Sequence, residues 1–142
     1  MRHLATEMDV PVSVYVIARK SDSGIGGPVK VGLSKSPLSR LRNLQTACPF
    51  EIELVYEFDC PTREAAEYLE RSFHATQKKK MLYGEWFDYG PIEAIYILCI
   101  GYRIMLENTF SDRRLYKPIL EYAGVLWAEQ RFGLHFPTES AQ

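Results

Sequence analysis

Apolar and polar side chains alternate along residues 13–19, a stretch rich in valine, and this period of two predicts a β-strand. The segment SDSGIGGP that follows consists mainly of residue types that favour turns. Residues 29–33 are again mainly apolar and predict the second strand of a hairpin. Alternation returns in residues 51–58, EIELVYEF, which predict a third, half-buried strand with an acidic polar face.

Helical spacing follows the predicted hairpin and, later, the predicted third strand. Ser36 and Pro37 predict an N-cap and a first helical position, and leucines recur at helical spacing until Pro49 ends the pattern. Thr62 predicts the N-cap of a second helix that runs to about residue 74. The order of strands and helices so far predicts a sheet with helices packed beside it.

The C-terminal third of the chain predicts further helices. Residues 82–91, LYGEWFDYGP, are too short for a helix and too rich in glycine for a regular strand, so an extended segment or short edge strand is expected. Apolar side chains on several sides of residues 92–108 predict a buried third helix, and a fourth is predicted over residues 112–132. The pattern therefore predicts an α+β fold, with a small three-stranded antiparallel sheet flanked by helices and two additional C-terminal helices.

Length and composition favour one ordinary globular domain spanning residues 1–142, with a module at 12–90 and a helical extension at 91–134 packed on it. The net charge of −1 argues against a general nucleic-acid coat protein, which is usually strongly basic. No apolar stretch reaches the roughly 20 residues that span a bilayer, and no secretion signal is evident, so a cytoplasmic protein without membrane contact is expected. Three cysteines without C-x-x-C spacing predict reduced thiols and no zinc site.

Five short stretches resemble motifs of the GIY-YIG nuclease family, in particular its phage-type branch. In chain order they are VYVI (14–17), VKVGLS (29–34), SRLRNLQT (39–46), YLERSFH (68–74) and GEWF (84–87). Each motif alone is weak, but all five in this order and at these separations are hard to obtain by accident. The family's fold, a three-stranded antiparallel sheet surrounded by helices, agrees with the fold that the apolar pattern predicts.

The resemblance implies a hydrolase, an endonuclease that cleaves phosphodiester bonds in DNA with Mg²⁺ or Mn²⁺ as its cofactor. Residue by residue, the family's signature tyrosine corresponds to Tyr15, its helix arginine to Arg40 and its metal-binding glutamate to Glu70. At the second signature Gly32 is kept, whereas Lys30 stands where the family has the tyrosine that gives it its name. This departure removes that tyrosine from the family's proton-transfer scheme.

Glu70 and His74 lie one helical turn apart. A divalent metal at Glu70 would offset the charge of a phosphate and stabilise the leaving oxygen without proton transfer. Magnesium prefers oxygen ligands and often takes only one or two carboxylates from a protein. His74 would orient this carboxylate or contact the phosphate. From spacing alone, ordinary positions on a helix surface are the alternative for both residues.

The basic candidates lie on the first predicted helix and in the hairpin. The Arg40 guanidinium suits bidentate contact with phosphate oxygens. Spacing does not choose between it and Arg42, but the family offset favours Arg40, and Arg42 is expected to contact nucleic acid or solvent. We expect Tyr15 and Lys30 to face each other across the hairpin, where the ammonium would lower the tyrosine pKa from about 10. Tyr15 would then position or deprotonate the attacking water, with a core tyrosine as the alternative.

The remaining candidates are supporting residues. Glu85 in GEWF is expected to contact the site from outside the metal's own ligands. Lys78, Lys79 and Lys80 follow the second helix, where the helix dipole favours cations, and they would also attract a DNA backbone.

Two functions remain open from the sequence. The leading hypothesis is a magnesium-dependent DNA endonuclease, favoured by the joint presence of Arg40 and Glu70. The alternative is a non-catalytic nucleic-acid-binding or assembly module that retains the nuclease scaffold, favoured by Lys30 and by the slightly negative net charge. A homodimer would let one site per chain cut both strands of a duplex, and the sequence leaves the oligomeric state open.

Overall fold

The computed structural model describes residues 11–22 and 24–109. The fourth helix predicted over residues 112–132, the second of the two expected C-terminal helices, lies outside the described residues. Of the helices in the described part of the chain, none is both long enough and apolar enough to cross a bilayer. The elements in chain order are β1 (Val12–Ser21), β2 (Gly24–Ser34), α1 (Pro37–Thr46), β3 (Ile52–Cys60), α2 (Arg63–Thr76), a 3-10 helix (Lys78–Lys80), β4 (Met81–Tyr83), β5 (Trp86–Phe87) and α3 (Pro91–Thr109).

The strands form one antiparallel sheet in the order β3-β1-β2-β5-β4. The predicted α+β class is therefore confirmed, whereas the predicted count of three strands is wrong, because the described residues form five. The additional strands β4 and β5 are only three and two residues long, too short to show a period of two in the sequence. They extend the sheet beyond β2 as a hairpin, and the turn between them contains Glu85.

The β1–β2 hairpin reaches further than the sequence predicts. Its pairing continues past Ala18 and Val29 to Ser21 and Gly24, so most of the segment predicted as a turn belongs to strands. The register shifts between Ala18 and Arg19, where a bulge accommodates the irregularity. Gly24 has φ +128°, a conformation that a residue with a side chain rarely adopts, and the chain reverses beside it.

The predicted starts of the first two helices agree with the structure. Pro37 lies in the first turn of α1, where its missing N–H removes no helical hydrogen bond. The Ser36 side chain, however, makes no capping hydrogen bond to the helix. At α2 the Thr62 side chain accepts a hydrogen bond from the Ala65 backbone N–H at 3.1 Å. These fixed starting points determine which side chains of α1 and α2 face the sheet.

Two apolar clusters cover opposite faces of the sheet, because alternate residues of β1 point to opposite sides. The larger cluster joins the strands to α2 and α3 and includes the fully buried Tyr102. The smaller cluster contains Tyr15 and Ile17 of β1, with Leu41 and Leu44 of α1 packed against it. We call this second side of the sheet the α1 face. Tyr15 on this face is the first of the residues with candidate chemistry.

Candidate functional site

Tyr15 and Gly32 lie directly opposite each other in the β1–β2 ladder, and Tyr15 is only 1% exposed. A Cβ atom on Gly32 would lie 2.5 Å from the Tyr15 Oη and 2.9 Å from Glu85 Oε1. The missing side chain of Gly32 therefore makes room for a hydroxyl and a carboxylate to approach the strand together. This close approach explains why glycine is required here, independently of any backbone strain.

The sequence suggested that Lys30 faces Tyr15 directly across the hairpin, but it does not. Its register partner is Ile17, so Lys30 is a diagonal neighbour of Tyr15 on the same face of the hairpin. The Lys30 Nζ donates a hydrogen bond to Glu85 Oε1 at 2.8 Å, and Lys30 is 7% exposed. The charge of this lysine is therefore paired with Glu85.

The expected lowering of the Tyr15 pKa is wrong. Burial raises the pKa of Tyr15, and the negative charges of Glu85 and Glu70 act in the same direction. A hydrogen bond with the Arg40 side chain, together with its positive charge, opposes this rise without cancelling it. Tyr15 is therefore a neutral phenol at physiological pH, suited to donate or accept a hydrogen bond and poorly suited to act as a base.

Glu70, His74 and Glu85 each bring a ligand atom to one place, and these atoms all lie within 4.8 Å of one another. Glu70 and His74 come from successive turns of α2, whereas Glu85 comes from the β4–β5 turn. The backbone of Val31 holds both sides of this cluster: its N–H donates to the Glu85 carbonyl at 3.1 Å, and its carbonyl lies 2.9 Å from His74 Nε2. Strand β2 thus fixes the imidazole relative to the turn that carries Glu85.

The contact with Val31 also determines the tautomer of a neutral His74. A carbonyl oxygen only accepts hydrogen bonds, so Nε2 carries the proton and Nδ1 keeps its lone pair. Metal-binding histidines usually donate their other ring N–H in this way, often to a backbone carbonyl. The orientation of His74 therefore suits a metal ligand.

The carboxylate of Glu85 disfavours the ionised form of Glu70. Burial is the largest cause of the raised pKa of Glu70. The negative charge of Glu85 and a hydrogen bond with Glu85 raise this pKa further. The charges of His74 and Arg71 act in the opposite direction. A divalent cation would relieve this repulsion, and two carboxylates with one imidazole are ligands that Mn²⁺ and Mg²⁺ accept. The residues present therefore fit a divalent metal.

Arg40 approaches the same place from α1. Its side chain is exposed, yet it lies close enough to the Tyr15 hydroxyl to lower the tyrosine pKa, and the charge of Glu70 also reaches this hydroxyl. The guanidinium and the acid cluster therefore lie on one side of the molecule. Arg42, two residues further on, is exposed on α1 and forms no hydrogen bond or ion pair with the cluster within residues 11–22 and 24–109.

The structure thus brings together seven of the sequence-derived candidates: Tyr15, Lys30, Gly32, Arg40, Glu70, His74 and Glu85. The lysines at 78–80 form the exposed 3-10 helix before β4, and none contacts a member of this cluster within the described chain. Sequence reasoning underestimated Glu85, which belongs to the group of potential ligands itself. The signal that could have identified it is its place after Gly84 in a tight turn that precedes a strand.

Replacing Gly32 by Ala is expected to destabilise the protein by about 1–3 kcal/mol, as overpacking typically does. The added methyl group would displace the Tyr15 hydroxyl or the Glu85 carboxylate. Gly26→Ala in the same strand is the matched control, since its Cβ would come no closer than 3.7 Å to a neighbouring atom, Ser21 Oγ. Urea unfolding of both variants measures the difference, and equal midpoints would contradict the close approach at Gly32.

Comparison with known proteins identifies one family. No curated protein and no solved structure matches the chain. Residues 13–98, which include every member of the cluster, match the model of the T5orf172 domain. Because this match covers more than half of the 142 residues, the chain belongs to the T5orf172 domain family.

Proposed function

We propose that this protein is a metal-dependent DNA endonuclease of the GIY-YIG type. The observation that carries the proposal is the convergence of Glu70, His74 and Glu85, with ligand atoms within 4.8 Å of one another, on the side of the molecule where Arg40 approaches Tyr15. The T5orf172 domain is a phage-associated domain related to nuclease-like folds, which supports the proposal. The motif resemblance from VYVI to GEWF, which lies within the matched residues, supports the same proposal.

The carboxylates of Glu70 and Glu85 and the imidazole of His74 would hold the proposed metal. When bound, a divalent cation neutralises charge on the phosphate and stabilises the leaving oxygen. Lys30 fixes one oxygen of Glu85 through its hydrogen bond, which leaves the other oxygen for the metal. The ion pair with Glu85 would also keep the Lys30 ammonium beside the phosphate.

Arg40 and Tyr15 act on the substrate in this proposal. The guanidinium donates to non-bridging phosphate oxygens, where negative charge accumulates in the transition state. Tyr15 uses its hydroxyl to orient the attacking water, with the proton passing to solvent. The raised pKa of Tyr15 supports this positioning role over the role of a base, because the phenol stays protonated at neutral pH.

Incubating the protein with supercoiled plasmid, linear duplex and single-stranded circular DNA tests the proposal. Cleavage is expected with Mg²⁺ or Mn²⁺ and not with EDTA. Binding is followed in parallel by fluorescence anisotropy. No cleavage of any DNA form by a protein that still binds DNA would contradict the proposal and favour the non-catalytic module.

Tyr15→Phe is expected to lower the cleavage rate about tenfold, the upper range for one neutral hydrogen bond. The shape of the pH–rate profile between about pH 6 and 9 is expected to stay unchanged, because the phenol remains protonated throughout this range. Single-turnover rates across this range measure both effects. An alkaline rise in the wild type that disappears in Tyr15→Phe would instead assign Tyr15 the role of base.

A further inference from the structure

Tyr83 is the most conspicuous apolar side chain on the described surface, with 86% of its area exposed. The preceding Leu82 is 56% exposed. Both lie at the tip of the β4–β5 hairpin, outside both apolar clusters. An aromatic ring this exposed contributes little to the core, so packing within the protein does not explain it.

The hairpin holds Tyr83 in a defined position. Tyr83 pairs with Trp86, and only Gly84 and Glu85 lie between them. Gly84 has φ +60° at the first central position of this two-residue turn, where glycine is favoured. Tyr83 is therefore anchored two residues from Glu85, one of the proposed metal ligands.

The register places Tyr83 on the same face as the site. Trp86 pairs with Tyr83 on one side and with Lys30 on the other, and Lys30 pairs with Ile17. Directly paired residues share a face of the sheet, and Ile17 shares the α1 face with Tyr15. Because neighbouring strands lie about 4.8 Å apart, Tyr83 is roughly 10 Å from Lys30 along this row.

Three lysines precede the exposed ring in the chain, and Lys80 Nζ lies 5.8 Å from the centre of the Tyr89 ring. Lys78, Lys79 and Lys80 lie immediately before β4, all are exposed, and none pairs with an acidic side chain among residues 11–22 and 24–109. Cations beside an exposed aromatic ring are the combination with which proteins bind unpaired nucleic-acid strands. In a continuous duplex the faces of the bases are covered by their neighbours, so the ring has no base to stack on.

We infer that the β4–β5 hairpin tip is a stacking platform for an unpaired DNA base, and that the substrate class is DNA with unpaired nucleotides beside the scissile phosphate. This inference rests on the proposed function. Tyr83 stacks on the base, and the lysines at 78–80 contact the backbone of the same strand. With a stacked rise of about 3.4 Å per nucleotide, a distance of roughly 10 Å places this base within about three nucleotides of the phosphate.

The test measures binding without cleavage, in EDTA, to a continuous duplex and to the same duplex with a short single-stranded gap. The gap contains 2-aminopurine, whose fluorescence falls when an aromatic ring stacks on it. Tyr83→Ala is expected to lower the ratio of gapped to continuous affinity by about 5- to 150-fold, the range for loss of one stacked base. Tyr83→Phe keeps the aromatic ring and is expected to keep the ratio. Tyr68→Ala, which removes an exposed tyrosine of α2, is also expected to keep the ratio.

Each result distinguishes this inference from the proposed function. An unchanged ratio in Tyr83→Ala overturns the inference, while metal-dependent cleavage by the wild type would keep the proposed function. Loss of the ratio in a protein that never cleaves DNA supports the platform and overturns the nuclease. An unchanged ratio with a dimer that dissociates in Tyr83→Ala, measured by sedimentation, would assign the tip to self-association and overturn the inference. Circular dichroism confirms that each variant is folded.

Discussion

Glu70→Gln is expected to reduce metal-dependent DNA cleavage by more than 100-fold. A bound divalent metal typically contributes several kcal/mol of charge stabilisation in such reactions, and about 1.4 kcal/mol corresponds to a factor of ten. Glutamine keeps the size of the side chain but replaces one ligand oxygen by an amide nitrogen, which does not bind Mg²⁺. Single-turnover cleavage rates measure the loss. Mn²⁺ is expected to raise the melting temperature of the wild type, and the same substitution is expected to abolish this rise.

Stability without metal separates this effect from misfolding. The pKa of Glu70 is raised in the folded protein. The ionised carboxylate therefore lowers the free energy of unfolding at neutral pH. Glu70→Gln is therefore expected to melt at the same temperature as the wild type in EDTA, or higher. Glu67→Gln is the matched control, because Glu67 lies on the same helix and pairs with Arg63 and Arg71. Full cleavage by Glu70→Gln would exclude its role as a metal ligand.

Local signals predict the helices of this protein better than they predict its sheet. The positions of Pro37 and Thr62 are enough to place the starts of α1 and α2, because capping depends on the residue at one position. Strands β4 and β5 leave a weaker signal, which predicts only an extended segment or short edge strand over residues 82–91, since two or three residues cannot show a period. The pairing of β5 with β2 depends on Val29 and Lys30, which lie more than fifty positions away in the chain.

The same limit applies to the site. The resemblance assigned Tyr15, Arg40 and Glu70, and the structure brings Arg40 and Glu70 within electrostatic reach of Tyr15. The resemblance could not reveal the ion pair between Lys30 and Glu85, because these residues are 55 positions apart. The resemblance led to the prediction that Lys30 lies opposite Tyr15 in the hairpin. The register of the hairpin determines which side chain the ammonium contacts.

The pKa of Tyr15 shows why a list of neighbouring residues is insufficient. A lysine near a tyrosine predicts a lower pKa, yet the dominant effect on Tyr15 is burial, which acts in the opposite direction. Burial depends on how Leu41 and Leu44 of α1 pack over the β1–β2 hairpin. That packing follows from the whole fold, so the protonation of Tyr15 could not be predicted from its neighbours in the motif.

Arg40→Ala is expected to lower kcat by about 100- to 1,000-fold, the usual cost of removing one preorganised donor from a developing negative charge. KM is expected to change much less, because the contact strengthens as charge accumulates on the phosphate oxygens. Arg40→Lys should recover only part of the rate, since an ammonium cannot donate two parallel hydrogen bonds. Steady-state cleavage of a short labelled substrate separates kcat from KM.

Arg42→Ala is the matched control for this prediction, because the two arginines have the same charge, the same helix and similar exposure. With about 3.6 residues per turn, Arg42 lies roughly 200° around α1 from Arg40, away from the Tyr15 hydroxyl. We expect Arg42→Ala to raise KM slightly and to leave kcat within a factor of about two, as for a solvent-screened contact with DNA. If both variants instead raise KM equally and keep kcat, α1 binds the DNA backbone through general charge. The guanidinium of Arg40 would then have no special place in the transition state, and its contact with Tyr15 would be structural.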